Sequence, residues 1–277
     1  MKIKLFSYNQ LDTPIHKLSG FTKILAFLLL TFAVMFSYDI RLILGMLLFS
    51  VWVFTVAQIK WHQIRLMVLY VFFFLITNVI LTFMFEPEYG VKIYGTRHLL
   101  FNIVGRYTVT AEQLLYQVTK VMKYASVIPF GIVFLLTTNP SELASSLNRV
   151  GIHYKVAYPV SLTLRYFPDI QRNYNDISQA QQARGLEMSK KASLRSRFKN
   201  ALLIIIPLIF STIDRIDVIS NAMDLRGFGK GKKRSWYSAE KLKKGDYIAL
   251  TVSLLAFLLS IFMSLVVNES RFYNPFI

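Results

Sequence analysis

The chain has 277 residues, 54% of them hydrophobic, and a mean hydropathy of +0.44. That combination of length and hydropathy excludes an ordinary soluble domain and reads as an integral membrane protein. A net charge of +17, from 32 Lys and Arg against 15 Asp and Glu, would point to nucleic acid in a soluble chain; in a membrane protein it marks the cytoplasmic side, so no nucleic-acid partner is expected.

Residues 1–20 are polar and turn-rich, without a cleavable-leader pattern. Ile24 to Tyr38 is the first apolar run, long enough to span only if Phe21 and a snorkelling Lys23 are added. Asp39 and Arg41 break it. Leu42 to Ile59 and Leu66 to Phe85 are predicted spans, separated by the basic loop of Lys60, His62 and Arg65. Residues 86–112 read as an external loop with some local structure. A fourth span is predicted from about Val118 to Thr138, with Lys120 and Lys123 in its first turns. An ionisable group there is either a functional site or a lysine snorkelling to the interface.

From residue 139 to 244 the character changes, with 19 basic residues against 8 acidic ones. Asn139-Pro140-Ser141-Glu142 reads as a helix start. Val160, Leu164, Phe167, Ile170, Tyr174 and Ile177 step by three or four, which is one apolar helix face, and Pro168 lies within it. A basic connector follows at 190–199. Ala201 to Phe210 is apolar but too short to cross a bilayer, and continues as an amphipathic helix bent at Pro207. Asp214 and Asp217 flank Arg215 and read as partners in structural ion pairs. A basic turn occupies 229–234, and Tyr247 to Val267 is the last span.

The fold class expected is therefore an all-α integral membrane protein. It has about five transmembrane helices plus a cytoplasmic or interfacial coupling domain of long amphipathic helices. Its parts are an N-terminal transmembrane region (1–138, four spans), the coupling domain (139–244), and a C-terminal transmembrane helix and tail (245–277). The basic loops place 139–244, residues 60–65 and the N-terminus inside, and 86–117 and the C-terminus outside.

One signal is written twice. Ile177, Ala180, Arg184 and Gly185 recur, at the same offsets, as Ile219, Ala222, Arg226 and Gly227. Helical spacing stacks each Ile, Ala and Arg on one face, and the Gly offers a helix stop. Each arginine either caps its own helix or projects as a docking group able to take a carboxylate bidentately; the repetition favours docking. Chemistry is otherwise missing from the pattern. Four histidines show no ligand spacing, cysteine is absent, and Gly227-Phe228-Gly229-Lys230-Gly231-Lys232 lacks the spacing of a phosphate loop. No catalytic residue, metal site or cofactor is expected, so energy for any transport must come from another chain. A self-sufficient secondary carrier or channel is the alternative, weakened by the lack of intramembrane carboxylates.

Several stretches together resemble the transmembrane T component of energy-coupling factor (ECF) transporters, a family that includes cobalt-transport permeases. They are the segment 12–23, Thr137-Thr138-Asn139-Pro140-Ser141-Glu142-Leu143, Leu164-Arg165-Tyr166-Phe167-Pro168, and Ala180-Gln181-Gln182-Ala183-Arg184-Gly185. The second signature departs from the family pattern, with Leu225 for Ala and Asp224 for Glu, and keeps Arg226, Gly227 and Phe228. The resemblance implies a non-catalytic scaffold in a prokaryotic cell membrane, with its coupling domain in the cytoplasm. Two ABC-type ATPases would dock at Ala183, Arg184, Gly185, Leu225, Arg226 and Gly227. A small membrane-embedded substrate-binding S component would rest on the faces of Val160, Leu164, Phe167, Leu202, Ile206 and Ile209. ATP-driven motion would then serve uptake of a vitamin or metal ion.

Overall fold

The computed structural model describes residues 12–104, 107–186, 193–231, 236 and 241–276. Among these the protein is helical apart from one hairpin. Five apolar helices are present. Three are long and apolar enough to cross a membrane: α3 (Trp61–Phe85), α5 (Ala111–Thr137) and α9 (Lys244–Phe262), the last extended by a π turn over Met263–Val267. The other two, α1 (Gly20–Phe36) and α2 (Ile40–Val56), have 17 residues each, about 25 Å of helix, at the short end of what a bilayer core needs. With the helical composition this makes an all-α membrane protein. Between α3 and α5 lie the short α4 (Tyr89–Tyr94) and an antiparallel hairpin, β1 (Leu99–Val104) with β2 (Tyr107–Thr110). Then come α6 (Pro140–Arg149), α7 (Tyr154–Ala183) and α8 (Leu194–Leu225).

The chain divides into two compact units: Met1–Asn139 with Glu240–Ile277, and Pro140–Ala239. In the first unit, Leu30, Ala33 and Val34 of α1, Leu42 and Met46 of α2 and Phe130 of α5 form the core, flanked by Ala256 and Phe257 of α9. Small polar groups join these helices inside the apolar layer. Ser260 Oγ of α9 donates to the Ala33 carbonyl of α1 at 2.6 Å, and Ser126 Oγ of α5 to the Ile43 carbonyl of α2 at 3.5 Å. α3 is the least covered: its most apolar stretch has no fully buried residue, and much of its surface is available to lipid or another protein.

Three expectations about this unit change. Lys23 does not snorkel. It is 6% exposed and its Nζ donates to the carbonyls of His16 (3.0 Å) and Thr137 (2.8 Å). The fourth span starts seven residues before Val118, because its polar first turns are satisfied within the protein. Thr110 caps the helix by accepting from the Gln113 N–H, and the buried Glu112 carboxylate accepts from the His98 N–H and the Thr96 hydroxyl, each at 3.0 Å. Lys120 and Lys123 are likewise held inside, by Thr82 Oγ1 (2.5 Å) and by the Met35 carbonyl (2.7 Å); the Lys123 ammonium lies 3.5 Å from the centre of the Tyr38 ring. Both lysines are buried among the helices.

The C-terminal segment closes over the same end. Asp39 caps α2, is gripped by Arg41 (2.8 Å) and accepts from Asn268 Nδ2 (2.9 Å). Burial alone would raise the Asp39 carboxyl, but the hydrogen bonds from Arg41 and Asn268 outweigh it and leave it below its ordinary range.

In the second unit, α6 packs on α7 and α7 on α8. Pro159 and Pro168 sit inside α7 and Pro207 inside α8, and each helix continues past them. The expected connector at 190–199 is in part helix, since α8 begins at Leu194 behind the N-cap Ser193; residues 187–192 lie outside the described residues, as do 232–235 of the expected basic turn.

Candidate docking site

The repeated signal folds into the same backbone motif twice. α7 ends with Arg184 at its C-cap (φ −85°, ψ 11°) and α8 with Arg226 at its own (φ −83°, ψ 10°). The next residue is left-handed in both, Gly185 at φ +89° and Gly227 at φ +67°, a region glycine enters without steric cost. The Gly185 N–H then bonds the Gln182 carbonyl (3.0 Å) and the Leu186 N–H the Gln181 carbonyl (3.1 Å). In the second copy the Gly227 N–H bonds the Asp224 carbonyl and the Phe228 N–H the Met223 carbonyl, both at 2.9 Å. These are the paired 6→1 and 5→2 bonds of a Schellman stop.

Backbone groups therefore satisfy the last carbonyls of each helix, which leaves the arginine side chains with no capping task. Arg184 and Arg226 are both exposed, and among the described residues neither guanidinium meets a hydrogen-bond or ion-pair partner. Ala183 and Gly185 are exposed, and Leu225 is 90% exposed, an unusual place for a leucine. Gly227 is half-buried.

The two tips differ in what stands behind them. Phe228 sits against Tyr154 (5.7 Å between ring centres) and Tyr158 (5.2 Å) at the start of α7. Tyr154 Oη donates to the Gly231 carbonyl at 2.6 Å, and Tyr158 lies 6.2 Å from Trp236. This aromatic clamp ties the α8 tip to the α7 start. Sequence spacing did not bring Tyr154 and Tyr158 into the site; the only signal was an aromatic after the second Arg-Gly. Leu186, the counterpart of Phe228, is half-buried.

The six residues expected to hold a second membrane protein lie on the two long helices. Val160, Leu164 and Phe167 of α7 are 36% to 43% exposed, and Leu202, Ile206 and Ile209 of α8 are 41% to 50% exposed. Both triplets leave apolar surface uncovered, whereas Ala157 and Ile204 on the same helices are fully buried. The helix pair is pinned by Asp169, which lies 3.7 Å from Arg215 and 3.6 Å from Arg172. This corrects the expected pairing: Arg215 reaches across to α7 rather than to Asp214 or Asp217. Asp214 and Asp217 are one and two residues from Arg215, so on a helix neither faces it, while Asp169 on α7 lies within reach.

The match to known proteins covers both tips. A family described as cobalt transport protein matches residues 12–237, a span that takes in α1 to α8 and stops before α9. The chain belongs to this family. It is 26% identical over 278 residues to the energy-coupling factor transporter transmembrane protein EcfT of Streptococcus equi subsp. equi (strain 4047), with 98% of each chain covered. A relative with the same name from Thermanaerovibrio acidaminovorans is 25% identical over 257 residues, covering 90% of this chain and 91% of the relative. A putative ABC transporter ATP-binding protein of Bifidobacterium longum is 33% identical over 153 residues, which is 52% of this chain and 20% of that protein. The family places the chain among the membrane components of ECF transporters.

Proposed function

We propose that the protein is the non-catalytic coupling subunit of an ECF-type importer. Each arginine tip docks one ABC-type ATPase in the cytoplasm, and ATP hydrolysis lies wholly in those partner chains. The apolar faces of α7 and α8 hold a small substrate-binding membrane protein. When the docked ATPases move, the two tips move with them, and the helices carrying those tips pass the motion to the substrate-binding partner, for uptake of a vitamin or metal ion.

One observation carries the reading. Two long helices end in equivalent backbone stops, and each presents an exposed arginine without a partner among the described residues. A guanidinium so held suits a bidentate contact to a carboxylate on another protein. The match to an ATP-binding protein several times longer also fits, because it associates this kind of segment with an ATPase.

Arg184→Glu and Arg226→Glu are the direct test, each in the full transporter complex in membranes. Each reversal should weaken ATPase copurification roughly hundredfold, with uptake falling in step, while the variant still inserts. Normal uptake by both single variants and by the double variant overturns the proposal. For the second surface, Ile206→Asp with Ile209→Asp should release the substrate-binding partner and spare the ATPases; retention of all partners counts against that face.

A further inference from the structure

The first unit contains a half-open cavity of about 440 Å³ lined by α1, α2, α5, α9 and the turn before α1. Its volume falls in the range of small-molecule sites, and it is too small for a helix, whose diameter with side chains is about 10–12 Å. Of its twenty lining residues only Lys23, Trp52, Thr137 and Ser253 carry a polar side-chain group; the rest include Phe27, Phe130 and Phe134. Such a wall repels water and suits a hydrocarbon chain.

The cavity lies at one end of the helices. It takes the first half of α1 and of α9 and the last turns of α2 and α5. These are the ends beside Lys17, Lys60, Lys241, Lys243 and Lys244, the face that the excess of basic residues assigns to the cytoplasm. The acidic groups nearest in the chain, Asp246, which accepts from the Ser19 and Lys243 N–H groups, and Asp12, which lies 3.9 Å from Lys17, are outnumbered by these lysines. This end is positive on balance.

Thr137 adds an independent sign. Its neighbour Thr138 donates back to the Phe134 carbonyl at 2.6 Å, the usual way for a hydroxyl to be satisfied at a helix end. Thr137 Oγ1 is fully buried, lines the cavity, and has no hydrogen-bond partner among the described residues. A buried hydroxyl left so in a membrane protein is costly. The Thr137 carbonyl meanwhile holds the Lys23 ammonium at 2.8 Å, which places a positive charge in the same wall.

We propose that this cavity binds one anionic phospholipid of the inner leaflet. An acyl chain fills the apolar space between Phe27, Phe130 and Phe134. A side-chain rotation brings the buried Thr137 hydroxyl to the cavity surface, where it donates to an oxygen of the lipid's ester or phosphate, and Lys23 with the lysines at this end of the helices sets the preference for a negative headgroup. The lipid would wedge the four helices at the end where α5 passes into the second unit's first helix.

The test uses the full chain purified in detergent and stripped of lipid. Native mass spectrometry measures binding of phosphatidylglycerol against phosphatidylcholine with the same acyl chains. Phosphatidylglycerol should bind at least about fivefold tighter. Thr137→Val should weaken it about fivefold without changing the melting temperature appreciably, and Ala249→Phe, which fills the cavity, should abolish it. Because Ala249→Phe risks misfolding, a second measurement uses the unaltered protein. Phosphatidylglycerol with a photoreactive diazirine in the acyl chain should label Phe130 and Val133, both under 7% exposed, which annular lipid does not reach. Labels confined to outward residues such as Phe72 and Phe73, equal binding of the two lipids, or unchanged binding by Thr137→Val would each overturn the proposal.

Discussion

The two arginine tips are alike in backbone and unlike in support. Their C-cap angles agree within a few degrees and their stops use the same hydrogen bonds. Yet the α8 tip is followed by Phe228, wedged against Tyr154 and Tyr158, and is led by an exposed Leu225, while the α7 tip is led by Ala183 and followed by Leu186. A short motif thus fixes how an arginine is presented, while residues distant in sequence decide how firmly. In the proposed docking, the clamped tip would reach its partner already ordered and give up less entropy. The proposed docking is therefore symmetric in chemistry and asymmetric in stiffness.

The largest effect should come from charge reversal. With both Arg184→Glu and Arg226→Glu, ATPase retention should be lost altogether; the single variants then rank the tips. Arg226→Glu should cost more affinity than Arg184→Glu, since the stiffer tip contributes more of the binding. Titrating detergent-solubilised variants with the ATPases checks the order. Equal losses, or a greater loss at Arg184, would break the asymmetry while leaving docking intact.

Removing the clamp tests its cause. Phe228→Ala should cost roughly 2 kcal/mol of local stability, from lost aromatic contact and the gap it leaves. Hydrogen exchange should speed up at the amides of Gly227 and Phe228, with no change at Gly185 and Leu186. Leu186→Ala, with no ring contact to lose, should have a smaller effect confined to the first tip. If Phe228→Ala leaves exchange at the second tip unchanged, the aromatic contacts do not hold it.

The glycines test the opposite half of the comparison, the sameness of the stops. No atom lies within 4 Å of a Cβ built on Gly185, and at Gly227 only Lys230 Cδ does, at 3.7 Å. The penalty for alanine is then backbone strain alone, about 1 kcal/mol at either position. Gly185→Ala and Gly227→Ala should accelerate exchange of the Leu186 and Phe228 amides by similar factors. A large difference would mean that the two stops are not equivalent.

How much of this was legible depended on the range of the forces involved. The apolar runs, the Arg-Gly stops and the apolar faces of α7 and α8 follow from spacing within one helix, and the sequence displays them directly. What it concealed was polar burial settled by remote partners. Lys23 looked like a snorkelling residue because its acceptors, the His16 and Thr137 carbonyls, are visible only in the fold. The start of α5 was hidden because Glu112, Gln113, Gln117 and Lys120 read as loop or interface, although all four are buried. Arg215 was assigned to its helix neighbours because Asp169 lies on another helix. The clamp behind the second tip was missed for the same reason: Tyr154 and Phe228 are 74 positions apart in the chain.

Leu225→Ala should have the smallest effect on the protein alone and the most informative one in the complex. The side chain is 90% exposed, so its removal should change the stability of the free chain by less than about 0.5 kcal/mol. It also gives the second tip the same residue as Ala183. If Leu225 fills an apolar pocket on an ATPase, truncation should lower affinity about tenfold at that tip, as burying a leucine contributes roughly 1.5–3 kcal/mol. It should also reduce any preference between two different ATPases, because the tips would then present the same Ala-Arg-Gly. Competition between the ATPases for the single-tip variants Arg184→Glu and Arg184→Glu/Leu225→Ala reads both quantities. Unchanged affinity and preference would show that Leu225 faces solvent in the complex too, leaving the aromatic clamp as the difference between the tips that matters among the described residues.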